Sequence, residues 1–214
     1  MNRTDLADLR KEYAREHLTR RSVQDDPLLQ FSAWFDEAMG AQLLEPAAMT
    51  LSTADEHGYV TSRIVLLKGI TPDGFVFYTN YASQKGQQLE VNPQASLLFF
   101  WPELERQVRV TGTVRRVPAE TSDAYFASRP FESRISAAAS PQSTVLPSRD
   151  QLEATTQELR ERYADGNVPR PEWWGGYVLT PLTVEFWQGR PSRLHDRIRY
   201  RRDGDLWHVD RLAP

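Results

Sequence analysis

Hydrophobic positions follow two different spacings along the chain, and the spacing changes near residue 48. Before that point, residues 6–18 and 27–43 carry apolar side chains three and four positions apart, which is typical of amphipathic helices. After it, short apolar or alternating runs are separated by turn residues, which indicates β-strands. The pattern predicts strands over residues 49–54, 60–67, 75–79, 95–101 and 107–117.

The second half of the chain adds helices between further strands. Ser83 opens a predicted helix that ends near residue 91, because Asn92 precedes a proline and so disfavours helical backbone. A further helix is predicted after Pro118, and a capping-box pattern at residues 148–151 predicts a helix to about residue 163. Strands are predicted over residues 176–179, 183–187, 194–201 and 206–209.

These elements predict a mainly β fold with helical decorations. Five early apolar strands would expose long edges, and closing the sheet into a barrel removes such edges. The 214 residues contain no internal repeat or clear linker, so we expect a single domain over residues 1–214. Residues 1–25 are expected to be a mobile N-terminal segment of that domain.

Composition narrows the classes of protein. With 40% hydrophobic and 26% charged residues the chain is an ordinary globular one. No apolar run is as long as a membrane span, and the N-terminus lacks the apolar core of a signal peptide, so we expect a cytoplasmic protein without a membrane partner. The net charge of −3 argues against a nucleic-acid partner. Zero cysteines and four scattered histidines predict no metal centre.

Three basic side chains near the C-terminus are spaced by two. Arg193, His195 and Arg197 would project from one face of a strand that begins near Leu194, and there they could converge on one anion. The alternative is a solvated cationic edge strand, because charges commonly protect sheet edges from aggregation. The sequence leaves both interpretations open.

A phosphate-type site is indicated at the start of the helix that follows Ser83. Unpaired backbone N–H groups, the positive end of the helix dipole and Lys85 in the first turn suit an anion, although Ser83 could simply cap the helix. Arg63 and Lys68 bracket an apolar strand. This strand is expected to form a hairpin with residues 75–80 around the turn at residues 72–74.

A second phosphate-type cluster contains Tyr125, Arg129, Ser133 and Arg134. Guanidinium groups match phosphate oxygens, and hydroxyl groups add neutral donors. The alternative is a polar helix end. Two such sites in one acidic chain would imply two phosphorylated small molecules, one of them a cofactor and the other a substrate.

Together these residues resemble the pyridoxine/pyridoxamine 5′-phosphate oxidase family over nearly the whole chain. The most specific segments are residues 63–68, 77–80, 104–108, 185–188 and 193–197. The resemblance implies a split β-barrel of the FMN-binding type and a homodimer with FMN at the subunit interface. It also implies oxidation of pyridoxamine 5′-phosphate and pyridoxine 5′-phosphate to pyridoxal 5′-phosphate, with O2 as acceptor and H2O2 as product.

The resemblance also implies roles for particular positions, and no metal. The catalytic pair is Arg193 and His195. The FMN-binding positions are Arg63, Ile64, Val65, Leu66, Leu67, Lys68, Tyr78, Thr79, Gln84, Lys85, Gln107, Gln142, Ser143, Trp187 and Arg197. The substrate-binding positions are Arg10, Lys11, Glu12, Tyr13, Lys68, Tyr125, Arg129, Ser133, Arg193, Leu194 and His195.

The sequence departs from the family at three places. Gln84 stands where the family usually has an arginine, and Ser136 and Ala138 replace a glycine and a tryptophan. Three other functions are compatible with the sequence: a flavin reductase that uses a nicotinamide donor, a carrier that binds FMN or pyridoxal phosphate without turnover, and, as the weakest, nucleic-acid binding by the basic run at residues 193–202.

Overall fold

The computed structural model describes Tyr13 and residues 16–214. The helices of this part are α1 (Pro27–Gly40), α2 (Gln84–Val91), α3 (Ala119–Ser128), α4 (Phe131–Ala139) and α5 (Arg149–Arg162). Its strands are β1 (Ala48–Ala54), β2 (Val60–Leu66), β3 (Gly69–Thr71), β4 (Gly74–Asn80), β5 (Gln94–Trp101), β6 (Arg106–Arg116), β7 (Trp174–Gln188), β8 (Asp196–Asp203) and β9 (Leu206–Leu212).

The nine strands belong to one sheet, in which the order is β2-β1-β5-β6-β7-β4-β3, while β8 pairs with β7 and β9. The chain divides into two compact units. The central unit consists of Ala48–Ser96 and Gly112–Pro181. The terminal unit consists of the described residues up to Ala47, together with Leu97–Thr111 and Leu182–Pro214.

The central unit contains two antiparallel pairings that position the site. β1 pairs with β2 from Ala48↔Leu66 to Ala54↔Val60, and alternate residues of β1 are buried. β4 pairs with the first half of β7, and Phe75 and Phe77 on β4 are fully buried. Helices α3 and α4 cover a second cluster of buried side chains that includes Phe126, Ile135, Val168 and Trp174.

In the terminal unit, α1 presents one buried stripe, as its apolar spacing predicts. The side chain of Asp26 caps this helix by accepting hydrogen bonds from the N–H groups of Leu28 and Leu29. Phe31 packs against Phe99, and Trp34 makes an edge-on contact with Phe186. The second half of β7 pairs with β8, which in turn pairs with β9.

Most predicted elements are confirmed, and three differences concern one strand pairing, one strand boundary and one helix. The hairpin at residues 72–74 joins β4 to the unpredicted short strand β3, whereas β2, which carries Arg63, pairs with β1. The two strands predicted over residues 176–187 form the single strand β7, which continues through Pro181. Helix α4 was not predicted, because Arg129 and Pro130 read as the polar end of the preceding helix.

The prediction that Arg193, His195 and Arg197 share one face of an extended strand is wrong. Pro191–Arg193 forms a short 3-10 turn, and Ser192 and Arg193 have φ angles of 57° and 60°. Strand β8 begins only at Asp196. The three side chains therefore leave a turn, a connecting residue and a strand, so a spacing of two does not decide where they point.

The predicted helix over residues 6–18 is not formed where the structure describes it. Tyr13 and residues 16–18 are non-helical, and the other positions lie outside the described residues. Leu18 is buried, and its N–H donates to Asp196 Oδ2 at 3.1 Å. Within Tyr13 and residues 16–214, no helix is both long and apolar enough to cross a membrane.

Candidate cofactor and substrate site

A cavity of about 700 Å³ lies in the central unit. β2, the end of β4, the start of α2, the end of α3, α4 and the loop before α5 contribute to its wall. Thirteen of the predicted positions line it: Arg63, Ile64, Val65, Leu66, Lys68, Tyr78, Thr79, Gln84, Lys85, Tyr125, Arg129, Gln142 and Ser143.

Lys85 is a buried cation at the start of α2. Its Nζ donates to Ser83 Oγ at 3.1 Å and to Gln142 Oε1 at 2.9 Å. Burial, and secondarily the charge of Arg63, lower the pKa of Lys85 to about 8. Ser83 caps the helix by accepting from the N–H of Gly86, so the capping interpretation is confirmed and the same hydroxyl also contacts the lysine.

Arg63 lies on the same face of the β1–β2 pairing as its direct partner Leu51 and as Thr53, both of which are buried. Its Nη1 donates to the carbonyl oxygen of Leu51 at 3.1 Å and to Thr53 Oγ1 at 2.7 Å, while its Nη2 donates to Thr61 Oγ1 at 2.5 Å. Burial lowers the pKa of its guanidinium. Arg63 and Lys85 are close enough to repel one another, which favours an anion between them.

An aromatic stack forms another wall of the cavity. The rings of Tyr78 and Tyr125 are 3.8 Å apart and nearly parallel, and Trp174 is parallel to Tyr78 at 5.5 Å. The guanidinium of Arg129 lies 4.7 Å from the ring centre of Trp174. Burial raises the pKa of both tyrosines, so their hydroxyls stay neutral donors at physiological pH.

Arg129 also carries an unsatisfied donor. Its Nη1 is buried and has no hydrogen-bond partner among the described residues. Buried donors in folded proteins are nearly always paired, so an unpaired guanidinium nitrogen on a cavity wall indicates that an acceptor binds there. An anion with several oxygens would satisfy it.

The loop that carries Gln142 and Ser143 lies between α4 and α5 and forms part of the cavity wall. Gln142 Oε1 accepts from Lys85 and, at 3.4 Å, from Thr79 Oγ1. Ser143 has a φ of 74°, a left-handed conformation that is uncommon for a residue other than glycine. Such backbone strain tends to occur at functional sites, which agrees with the position of this loop on the cavity wall.

The terminal unit brings together a second set of predicted residues. Trp187 and His195 have ring centres 4.6 Å apart, and Tyr13 contacts both rings edge-on at 5.7 and 5.9 Å. The backbone N–H of Arg190 donates to His195 Nδ1 at 3.1 Å. Burial, and secondarily the charge of Arg193, lower the pKa of His195. Its ring is therefore neutral at pH 7, with the proton on Nε2.

Arg197 lies directly opposite Trp187 in the β7–β8 pairing. Its guanidinium is bound by the buried carboxylate of Glu185 and by the carbonyl oxygen of Ala213. Arg193 and Leu194 are exposed, and Gln107 is half-buried on β6. The terminal unit thus holds the predicted residues Gln107, Trp187, Arg193, Leu194, His195 and Arg197.

A few predicted positions are not on the cavity wall. Leu67 is buried without lining the cavity, and Ser133 is half-buried in the first turn of α4. Arg10, Lys11 and Glu12 lie outside the described residues. Among the residues that are described, no group of three or more acidic or histidine side chains could hold a metal ion.

Seven residues of the wall were not among the predicted site positions: Thr61, Ser62, Asn80, Ser136, Ala137, Ser140 and Trp174. Asn80 Oδ1 accepts from the N–H of Ala82 at 2.7 Å, and its Nδ2 donates to the carbonyl oxygen of Ser140 at 3.4 Å. Asn80 directly follows the predicted strand that carries Tyr78, and this position at a strand end was the available signal.

Solved structures show the class of protein. The structure of PhzG from Burkholderia lata in complex with tetrahydrophenazine-1-carboxylic acid has a TM-score of 0.88 and 31% identity, covering 93% of this chain and 98% of that one. A pyridoxamine 5′-phosphate oxidase-related, FMN binding protein from Nostoc punctiforme has a TM-score of 0.71 at 16% identity, covering 90% and 100%, and shows the fold alone. The chain is a mainly β flavoprotein of the FMN-binding split-barrel class, as predicted.

Sequence relatives identify the family within this class. Proteins named pyridoxine/pyridoxamine 5′-phosphate oxidase are 56% identical in Burkholderia lata, covering 99% of this chain and 100% of the relative, and 57% identical in Salinibacter ruber, covering 98% and 99%. Residues 35–163 match the family model described as pyridoxamine 5′-phosphate oxidase, and residues 174–214 match the pyridoxine 5′-phosphate oxidase C-terminal dimerisation region. The chain belongs to the pyridoxine/pyridoxamine 5′-phosphate oxidase family of oxidoreductases, which confirms the resemblance.

Proposed function

We propose that this protein uses FMN to oxidise pyridoxamine 5′-phosphate and pyridoxine 5′-phosphate to pyridoxal 5′-phosphate, with O2 as acceptor and H2O2 as product. The observation that carries the proposal is the charge of the central cavity. Four cationic side chains line it, namely Arg63, Lys68, Lys85 and Arg129. None of its described lining residues is acidic. Such a wall suits two phosphate groups, one on the cofactor and one on the substrate.

The residues present fit FMN. Lys85 and Arg63 supply cations for its phosphate, and the N-terminus of α2 adds backbone donors beside them. Gln142 and Ser143, with residues 64–66 of β2 and Thr79, would contact the rest of the cofactor. Gln84 adds no charge where an arginine would, so the phosphate site depends on Lys85 and Arg63.

The substrate phosphate is assigned to the other two cations of the wall, Lys68 and Arg129. Lys68, Tyr125 and Arg129 supply two charges and a hydroxyl donor, and the unpaired Nη1 of Arg129 gains an acceptor when phosphate binds. Ser133, which lies in the first turn of α4 and does not line the cavity, is assigned to this set by resemblance to the family. Tyr13 and the segment before it are assigned to covering the bound substrate.

FMN, when bound, supplies the redox chemistry by taking a hydride from the substrate's C4′ carbon and passing the electrons to O2. His195 acts as a neutral Nε2–H donor that orients the substrate, because its Nδ1 already accepts from Arg190. Arg193 supplies positive charge over the pyridine ring. Trp187, Gln107 and Arg197 are assigned to the flavin, with Arg197 at its electron-rich edge.

The assembly is proposed to be a cytoplasmic homodimer with FMN at the subunit interface. The match of residues 174–214 to a dimerisation region supports it, since Trp187, Arg193, His195 and Arg197 all belong to that region. Sedimentation of the flavin-loaded protein tests the dimer. A monomer that keeps full activity would contradict it.

A second candidate function is oxidation of a carboxylic acid that carries no phosphate. It follows from the similarity to PhzG, whose structure contains tetrahydrophenazine-1-carboxylic acid. The lower identity of 31% and the phosphate-type wall of this cavity favour the phosphorylated substrate. Pyridoxamine and pyridoxamine 5′-phosphate are compared as substrates to test this preference. An enzyme that requires the phosphate should react with pyridoxamine 5′-phosphate and not with pyridoxamine.

The direct test is anaerobic addition of pyridoxamine 5′-phosphate to the FMN-reconstituted protein. Loss of the oxidised flavin absorbance, followed by its return and by stoichiometric H2O2 when air is admitted, is the expected result. A flavin that stays oxidised would support a carrier, and bleaching only by a nicotinamide donor would support a reductase. An Arg193→Met variant should keep its FMN content and lose turnover.

A further inference from the structure

A buried glutamine on α2 connects the two cations assigned to the FMN phosphate. Gln88 is 6% exposed and does not line the cavity. Its Oε1 accepts hydrogen bonds from two hydroxyl groups, Thr53 Oγ1 at 2.5 Å and Thr61 Oγ1 at 2.8 Å. Thr53 and Thr61 are direct partners in the β1–β2 pairing, so one amide oxygen spans both strands.

The same two hydroxyl oxygens bind the guanidinium of Arg63. Nη1 donates to Thr53 at 2.7 Å, and Nη2 donates to Thr61 at 2.5 Å. A hydroxyl has one proton and two lone pairs. Because each threonine hydroxyl donates its hydrogen to Gln88 Oε1, its oxygen can only accept from Arg63, and each terminal nitrogen of the guanidinium keeps a fixed partner.

Helix α2 carries Lys85 and, through Gln88, contacts the two threonines that bind Arg63. Lys85 and Gln88 are three residues apart and both buried, so they share the inner face of the helix. Burial, and secondarily the charge of Arg63, lower the pKa of Lys85, so the two positive charges repel one another. Fixed acceptors are needed to keep Arg63 in place against that repulsion.

We propose that Gln88 is a positioning residue for the phosphate clamp formed by Arg63 and Lys85. It acts through the hydroxyls of Thr53 and Thr61 and does not contact the cofactor. The inference rests on the proposed function, in which this clamp binds the FMN phosphate. Its consequence is that Gln88 determines affinity for the phosphate group of the flavin and not for the ring system.

The test compares FMN with riboflavin, which lacks the phosphate. Dissociation constants of the apoprotein are measured by quenching of flavin fluorescence for wild type and for Gln88→Leu, which removes the shared acceptor. We expect the FMN dissociation constant to rise about tenfold and the riboflavin constant to change less than twofold. Gln87→Leu is the matched control, because this neighbouring side chain is exposed, and it should change neither constant.

Parallel weakening of FMN and riboflavin binding in Gln88→Leu would show that Gln88 only holds α2 on the strands, and would overturn the inference. So would an unchanged FMN preference. If Gln88→Leu does not fold, Thr61→Val and Thr61→Ser provide the same test. Only the valine variant should lose the preference, since serine keeps the hydroxyl, and equal behaviour of the two would overturn the inference.

The comparison separates this inference from the function on which it rests. If wild-type protein binds riboflavin as tightly as FMN, then no phosphate clamp exists and the proposed cofactor site is wrong. If wild type prefers FMN and the preference survives in Gln88→Leu, the cofactor site stands and only the role of Gln88 is wrong.

Discussion

Glu185 Oε1 accepts a hydrogen bond from Arg197 Nε at 2.8 Å and forms an ion pair with Nη2 of the same guanidinium, also at 2.8 Å. The other oxygen of Glu185 accepts from Arg109 at 2.5 Å. The side chain of Glu185 is 4% exposed, whereas those of Arg197 and Arg109 are 26% and 48% exposed. One buried carboxylate thus compensates two cations, and Arg197 keeps an N–H on each terminal nitrogen for a ligand.

Glu185→Gln should therefore be more destabilising than removal of either solvent-facing partner. We expect a loss of about 2–3 kcal/mol in the free energy of unfolding, because two guanidinium groups lose their buried counter-charge. Arg109→Met, which removes an exposed partner, should cost less than about 1 kcal/mol. Urea unfolding of the apoprotein at fixed concentration measures both, and equal losses would contradict this account of Glu185.

Lys85 should make FMN binding depend on pH. Its pKa of about 8 in the free protein rises when a phosphate anion binds, so binding above pH 8 requires uptake of a proton. Affinity for FMN should be constant between about pH 7 and 8, where the phosphate is already a dianion, and fall by up to about tenfold per pH unit above pH 8. Fluorescence titration from pH 6 to 10 measures this, with Lys85→Arg, which stays charged, as the control. A flat profile for wild type would refute it.

His195 should be neutral at pH 7 and protonated on Nε2. Its pKa is lowered from 6.5 by burial and by Arg193, so it gains a proton only in more acidic solution. We expect kcat/KM to fall as pH decreases through that lowered pKa, because protonation breaks the hydrogen bond from Arg190 to Nδ1. Nitrogen-15 NMR of labelled protein, with His195→Gln for assignment, reports the tautomer directly. A proton on Nδ1 at pH 7 would count against this role.

Trp174 should support substrate binding through Arg129. Its ring faces the guanidinium at 4.7 Å and stacks in parallel with Tyr78, so replacement by leucine removes a cation–π contact worth about 1 kcal/mol. We expect KM for the phosphorylated substrate to rise about fivefold while FMN affinity is nearly unchanged. Trp173→Leu, at the adjacent half-exposed position, is the control. Equal effects of both variants on KM would argue against the contact.

Local sequence patterns were sufficient for most elements and for the chemistry of the site. The stripe on α1, the alternation on β1 and the cap at Ser83 each depend on neighbours within a few residues, and such short-range spacing survives in the folded chain. Lys85 and Arg129 were likewise predicted in two phosphate-type groups, whereas Arg63 was placed at the first of them by resemblance to the family. Their assignment to particular ligands came from resemblance to a family and not from spacing.

The tertiary structure decided which strands pair and which side chains meet. β2 pairs with β1 instead of β4, and this pairing brings Thr53 beside Thr61 and gives Arg63 its acceptors. No local pattern encodes it, because the partner of a strand is fixed by burial and hydrogen bonding between distant segments. At residues 191–193 the local pattern was misleading, because the backbone forms a turn there. A spacing of two therefore does not place Arg193 and His195 on one face. The sequence determined the elements and the charges, and only long-range packing determined their convergence on one cavity.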